Sequence, residues 1–552
     1  MNKNLFSSTR FSALHAQEGI FETLNPRGIK PAVKLSPLAP RISDLNGMVV
    51  YILRALRERT ELEEVLEKTG EVLKKRFPGV KIVSIYKPST YMSNEPQLWD
   101  EMLTKGNAFI YGAQFANSGT MWAITWAAKL EQQGLPGVNV IFETFIDNAQ
   151  TTSERLGTPV RYVPVPYPPG NITDRKMEDL ADKIVQSLTA PLTKKETGTG
   201  TEQPDPPPGI AFTGSLAQVQ DYFDTRHWTD GLPIIPPTKE RVAGMLKGTG
   251  HPKDKVVTTS MWPESWTVTV EKVAINGVMA GCRPEYMPVL LAAVEAFSSG
   301  PFESSVRSTN SFSFMQLVNG PIRKEIGMNP GTYALGPGNK ANATIGRFLK
   351  LAITNLGGSE VGVNLMGAQG NPSGYSFCFP ENEEASPWEP FDVSKGHKPN
   401  ESTITIFAGG WSHTGNYKKG RLDDMARAAA TWEWPNGVVV LLPPTVARAL
   451  AGKGMSKKDV EEYFWKKATL TMKEFKNDPY YKDFIEAILE GKPMYGETYL
   501  WPKEYKTLPD DARVSVYPRK YVNVIVVGGE EGPYSQAWKM SYPVTRSIDK
   551  WR

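Results

Sequence analysis

Over the first third of the chain, short apolar runs alternate with longer stretches that carry a helical apolar stripe. Met48–Leu53, Val80–Tyr86, Ala108–Tyr111, Val138–Phe142 and Val160–Val165 read as strands. The segment Thr60–Phe77, with Leu62, Val65, Leu66, Val72 and Leu73 on roughly one face, reads as a helix, as do Gln97–Leu103, Ser118–Gln133, Thr152–Leu156 and Asp174–Leu188. Ser118 is the expected N-cap of its helix and Gly134 its stop. Strands alternating with helices predict an α/β domain, a doubly wound parallel sheet. Ligands bind such sheets off the carboxyl ends of the strands. That singles out the loop 112–120, the turn Lys87-Pro88-Ser89 and Glu143-Thr144.

The pattern then breaks. Residues 190–208, APLTKKETGTGTEQPDPPP, are rich in Pro, Gly, Thr and charge, which predicts a flexible tether with a stiff proline end. The expected organisation is a first domain over 1–189, with residues 1–25 as a loosely held arm, the linker 190–208, and a larger domain over 209–552. In the latter, Leu216–Phe223, Lys239–Leu246, Val268–Ala280, Tyr286–Ser298, Ala343–Asn355 and Asp423–Thr431 read as helices. Thr403–Phe407, Val438–Leu442 and Tyr521–Val527 read as strands, and Ser456 with Asp459 reads as a helix start. The mixture is α/β or α+β.

Composition narrows the class. A chain of 552 residues, 40% hydrophobic and 22% charged, is a folded protein of more than one core. A net charge of +4 without a long basic tract argues against a nucleic-acid partner. The first residues lack a continuous apolar core of the signal-peptide kind, and no run is long enough to cross a bilayer. Two cysteines, Cys282 and Cys378, rule out a disulfide framework by count and fit a reducing, cytoplasmic setting.

Several segments combine reactive side chains with turn residues. His227 is a candidate general base with Asp230 orienting it, against a capped turn with a surface histidine. Cys282, near the start of a helix that Pro284 opens, is a candidate nucleophile, against the commoner buried thiol. Arg283 beside it suits a carboxylate or phosphate. In the glycine-rich stretch from Gly336 to Arg347, Asn339, Lys340 and Asn342 can present donors to an anion, or Asn342 can simply cap a helix; the spacing is not that of a P-loop. Glu381, Glu383 and Glu384 lie among aromatic residues, which suits raised-pKa acids or hard-metal ligands, against a solvated loop capping a helix near Glu381. His413 follows Gly409-Gly410 at a strand end.

The stretch Asn107–Gly134 resembles the UGSC family of (seleno)proteins and, more distantly, the selenoprotein B component of glycine reductase. In the former a strand leads into a selenocysteine-Gly-Ser-Cys-Thr motif that opens a helix. Ser118 and Thr120 fall on the motif's Ser and Thr, and Glu131–Pro136 matches a following Glu-x-x-Gly-Ile/Leu-Pro segment. Leu24-Asn25-Pro26 and Leu38-Ala39-Pro40-Arg41 resemble the start of the family. The selenocysteine position falls on Ala116 and the cysteine position on Gly119, so both redox atoms are missing. His227–Pro233, Ala274–Pro288, Phe377–Trp388 and Val526–Gly529 resemble a family associated with UGSC proteins as a neighbouring or partner chain. The resemblance implies an enzyme acting on a small polar metabolite by reductive or thiol-linked carbon–heteroatom cleavage, with Asn117, Ser118 and Thr120 retained as a substrate pocket. A non-redox lyase or hydrolase using Glu/His acid–base chemistry, or a non-catalytic subunit of a redox complex, are the rival expectations. The partner is then a second copy of the chain or a separate redox protein. Neither cofactor nor metal is named by the sequence.

Overall fold

The computed structural model describes residues 19–54, 61–112, 116–166, 174–416, 421–431, 437–478, 485, 489–490 and 501–552. Its first sheet is parallel throughout, in the order Lys81–Tyr86, Val49–Arg54, Ala108–Gly112, Gly137–Phe142, Tyr162–Val165. The alternation of side chains along each strand fills two separate cores. Val50, Ile52, Ala108 and Ile110 pack with Leu62, Leu66, Leu180 and Ile184 of helices Glu61–Arg76 and Asp174–Thr189. Tyr51, Leu53, Phe109 and Tyr111 pack on the other face with Leu98, Trp99, Ile124 and Leu130 of helices Pro96–Lys105 and Asn117–Gln132. The doubly wound sheet expected from the sequence is therefore present. Its strand order reverses between Val49–Arg54 and Ala108–Gly112, the topological switch point at which such sheets take ligands.

The larger part carries a six-stranded mixed sheet, ordered Cys378–Pro380, Ser313–Asn319, Thr403–Asn416, Tyr534–Ser547, Val438–Leu442, Val522–Val526. The outer pairs are parallel and the inner ones antiparallel. Helices Val270–Ala280, Met287–Ser299 and Lys340–Asn355 share a large apolar core with this sheet. Ser456 and Asp459 form the expected reciprocal cap on Lys457–Lys467.

Two expectations about the connections change. Residues 19–25 of the arm are held firmly, while residues 1–18 lie outside the described residues. Phe21–Leu24 pairs with Ile210–Gly214, Lys272 Nζ donates to the Asn25 carbonyl at 2.7 Å, and Asn276 donates to the Pro26 carbonyl at 3.0 Å. Segment 190–208 is not a free tether either. Gly200–Glu202 pairs with Val33–Leu35, and Glu196 takes two hydrogen bonds from Arg161 at 2.7 and 2.9 Å. A polar, proline-rich composition signals few apolar contacts, but it leaves backbone pairing and a well-placed ion pair available. Among the described residues no helix is long and apolar enough to cross a membrane.

Candidate functional site

Helix Asn117–Gln132 starts at the switch point, and loop residues 113–115 before it lie outside the described residues. Ser118 is not the N-cap. Ala116 holds that position in an extended conformation with no side-chain cap, and Ser118 Oγ sits 3.2 Å from the Tyr91 hydroxyl. The helix start is covered by the second half of the chain. Asn117 Nδ2 donates to the carbonyls of Val363 at 3.0 Å and Asn364 at 2.6 Å.

From there a closed ring of hydrogen bonds runs through both halves. The Asn364 amide donates to Glu264 at 2.7 Å, Arg307 donates to Glu264 and to Asn148 Oδ1 (2.7 Å), and Asn148 Nδ2 donates to the Asn117 carbonyl at 2.7 Å. Arg155 adds an ion pair to Glu303 at 3.2 Å and a longer one to Glu264 at 4.0 Å. Arg307 is fully buried. Burial lowers its pKa from the usual arginine value, and Glu264 opposes that. Burial raises the Glu303 carboxyl above the usual range, with Arg155 and Arg307 pulling the other way.

This seam is where the sequence-read substrate pocket lies, but Asn117, Ser118 and Thr120 are buried in it rather than lining an open groove. Asn148, Arg155, Glu264, Glu303, Arg307 and Asn364 were not legible as site residues. Asn148, Thr152 and Arg155 do recur at helical spacing along Ile146–Leu156, which marks a polar stripe. Nothing in the sequence tells that stripe what it faces.

The other candidates are scattered over the second half. Asp230 does not orient His227: it takes a bidentate pair from Arg347 at 2.7 and 2.8 Å, while His227 is exposed at a left-handed backbone position, φ 57°. Cys282 donates to the Thr344 carbonyl at 3.3 Å, and burial pushes its thiol up to about 12; burial also raises Cys378. Neither is a thiolate near neutrality. Arg283 is exposed beside the short helical turn Pro284–Tyr286.

Asn339, not Asn342, caps helix Lys340–Asn355. Asn342 is buried and ties down the preceding loop through the carbonyls of Asn329 and Ala334, and Lys340 is exposed. Glu381 opens no helix. It is fully buried and takes bonds from Asn319, the Phe391 backbone and Lys457. Burial acts to raise Glu384, but hydrogen bonds from Arg323 and Lys324 hold it at about 2, too low for a general acid near neutrality. Among the described residues no group of three or more His, Cys, Asp and Glu is arranged to hold a metal ion. His413 lies on Thr403–Asn416, beside a cavity of about 460 Å³ with Ser412, Thr414 and Asp424.

Residues 22–194 match the UGSC family. The UGSC segment covers the parallel sheet and ends within the linker, short of Glu196. Two of its motifs meet in space. Glu131 pairs with Arg41 and accepts from the backbone amides of Ala39 and Gly137 at 2.8 and 2.7 Å. These motif residues pin the start of the inner strand Gly137–Phe142 and take no part in the seam. No curated protein matches this chain. Among solved structures, the flavodoxin-like domain of a Synechococcus sp. protein is 14% identical, with 25% of this chain and 95% of that chain covered and a TM-score of 0.18.

Proposed function

We propose that the chain is an enzyme for a small polar metabolite, acting by acid–base rather than redox chemistry at the seam between its two halves. The observation that carries this reading is the ring through Asn117, Asn148, Glu264, Arg307 and Asn364, which brings ionisable groups of the second half to the helix start where UGSC relatives carry selenium and sulfur. Ala116 and Gly119 leave no redox atom there, and both thiols of the chain are held protonated. Glu303, with a raised pKa and a guanidinium beside it, is the acid–base candidate.

The test is substrate depletion from a small-metabolite extract by the purified chain. Turnover is expected to persist in the Cys282→Ala/Cys378→Ala double variant and to fall at least about 100-fold in Glu303→Gln, with circular dichroism unchanged. Loss in the cysteine variant, or full activity in Glu303→Gln, sinks the reading. The absence of both redox atoms also favours a second reading, a binding subunit that works with a separate redox protein. Depletion by the isolated chain excludes that alternative.

A further inference from the structure

Strand Thr403–Asn416 runs past one of its two neighbours. Tyr534–Ser547 pairs with it as far as Asn416, whereas Ser313–Asn319 stops pairing at Gly409. The register tells which main-chain groups this leaves open. The Met540 N–H points away from Thr403–Asn416 and donates to the Gly437 carbonyl at 3.1 Å. The alternate residues Lys539, Ala537 and Ser535 therefore turn their N–H and C=O groups toward Thr403–Asn416, where they face Trp411, His413 and Gly415. Ser412 and Thr414 turn theirs the other way. Asn371 Nδ2 donates to the Gly410 carbonyl at 3.2 Å and caps the edge at that point. Beyond it, the main-chain groups of Ser412 and Thr414 meet no partner among the described residues, and both residues are exposed.

This open edge borders a cavity. Helix Arg421–Ala428 packs beside the strand it follows, and a space of about 460 Å³ is lined by Ser412, His413, Thr414, Asp424, Met425 and Ala428. We propose that this groove takes an extended peptide segment of a partner protein, which adds a strand to the sheet against Ser412 and Thr414. The site stands apart from the seam and does not depend on it. Ser412 and Thr414 each offer one main-chain donor and one acceptor along an edge, and another extended chain is the ligand that matches such a row. Edges that are kept from pairing carry charge, proline or a bulge. Here the bulge lies before Trp411, and the open stretch carries hydroxyl side chains. The helix selects a single segment over a second copy. A second copy pairing antiparallel through the same edge would place its own Arg421–Ala428 on the same face of the joined sheet, where the two helices compete for one space. Charge narrows the class further. Asp424 is the carboxylate of the lining. It is exposed and paired only with Arg427 of its own helix, a surface contact of small worth, so a lysine or arginine of the incoming segment can share it and an acidic residue is repelled. Ala428, one turn along the same flank, leaves space for an incoming side chain.

The test starts from phage-displayed random heptapeptides selected on the full chain, and peptides carrying lysine or arginine are expected to be enriched. In fluorescence-anisotropy titrations of a selected peptide, N-methylation should abolish binding at alternate residues and be tolerated at those between, as for a strand held by one edge. Thr414→Pro removes an outward N–H and leaves the ladder to Tyr534–Ser547 in place, a position at which an edge strand tolerates proline. It should weaken the peptide at least about fivefold, the worth of one main-chain hydrogen bond, with the Tm unchanged. Asp424→Lys should weaken it by a similar factor, and an unchanged affinity there overturns the cationic class of segment. Three results overturn the strand addition itself: no enriched peptide, N-methylation tolerated at every position, or an affinity unchanged in Thr414→Pro. A concentration-dependent dimer of the parent chain that Thr414→Pro dissolves overturns the peptide in favour of a second copy. The N-methyl series, read on the unaltered chain, decides the matter if Thr414→Pro does not fold.

Discussion

Arg307 shows how a single residue takes its meaning from its surroundings. On the page it is one arginine among many; in the fold it is fully buried and donates to a carboxylate and an amide from different parts of the chain. Arg307→Met would leave Glu264 buried with only Asn364 and the longer Arg155 contact to compensate it. Breaking one side of a buried pair costs about 3–5 kcal/mol. Arg76, which reaches Glu178 and Asp182 at the surface, provides the control: Arg76→Met should cost about 1 kcal/mol or less. Urea denaturation of both variants measures the difference, and equal costs would mean that the ring does not hold the seam. The same dependence on surroundings reversed two sequence readings. Cys282 and Glu384 are reactive residue types, but burial quiets the first and a pair of cations quiets the second.

At the scale of elements, periodicity carried most of the first half. Every strand of the parallel sheet was legible, and so were its helices except the first half of Ile146–Leu156, because a buried strand needs a short apolar run and a covering helix needs a stripe. The segment 190–208 was misread because its ties are polar. Arg161 donates to Glu196 and also to the carbonyls of Ser187, Ala190 and Pro191. That hydrogen bonding, against a smaller opposing effect of burial, holds Glu196 down at about 2. A carboxylate whose folded pKa is depressed stabilises the fold above its unfolded value, near 4.5, and that stability is lost as pH falls toward 2. Hydrogen exchange of the Thr193–Thr197 amides should therefore quicken between those pH values beyond its intrinsic pH dependence, and more than exchange in the sheet. At neutral pH, Glu196→Gln should be cut by trypsin at Lys194-Lys195 several-fold faster than the parent chain. Unchanged cleavage would show that the strand pair Gly200–Glu202 with Val33–Leu35 suffices without the ion pair.

For the whole molecule, the two sequence-read domains are bound together by more than the seam. The strap 19–30 leaves the first half, adds a strand beside Ile210–Gly214 and satisfies Lys272 and Asn276 in the second. A fragment of residues 209–552 lacks that strap, so a buried lysine loses its carbonyl partner. The fragment should melt several degrees below the full chain, and a synthetic peptide of residues 19–31 should restore part of the loss. Identical melting of fragment and full chain would show the strap to be a passive cover. The same connectivity explains why the site was hard to see. Its residues come from around positions 117, 150, 264, 305 and 364, and no local pattern links them.

The sequence by itself determined the parallel sheet, its helices and a helix start beyond the carboxyl end of a strand, because each depends on local periodicity or on residue identity alone. Only the tertiary structure decided what meets that helix start. Whether Asn117 faces solvent, a pocket or another part of the chain is a question of long-range packing, and the answer is a buried polar seam in which Arg307 and Glu303 of the second half stand against Asn148 and Arg155 of the first. Burial, partner and charge balance are properties of that meeting, and they turn ordinary asparagines, threonines and arginines into the strongest candidate site in the molecule.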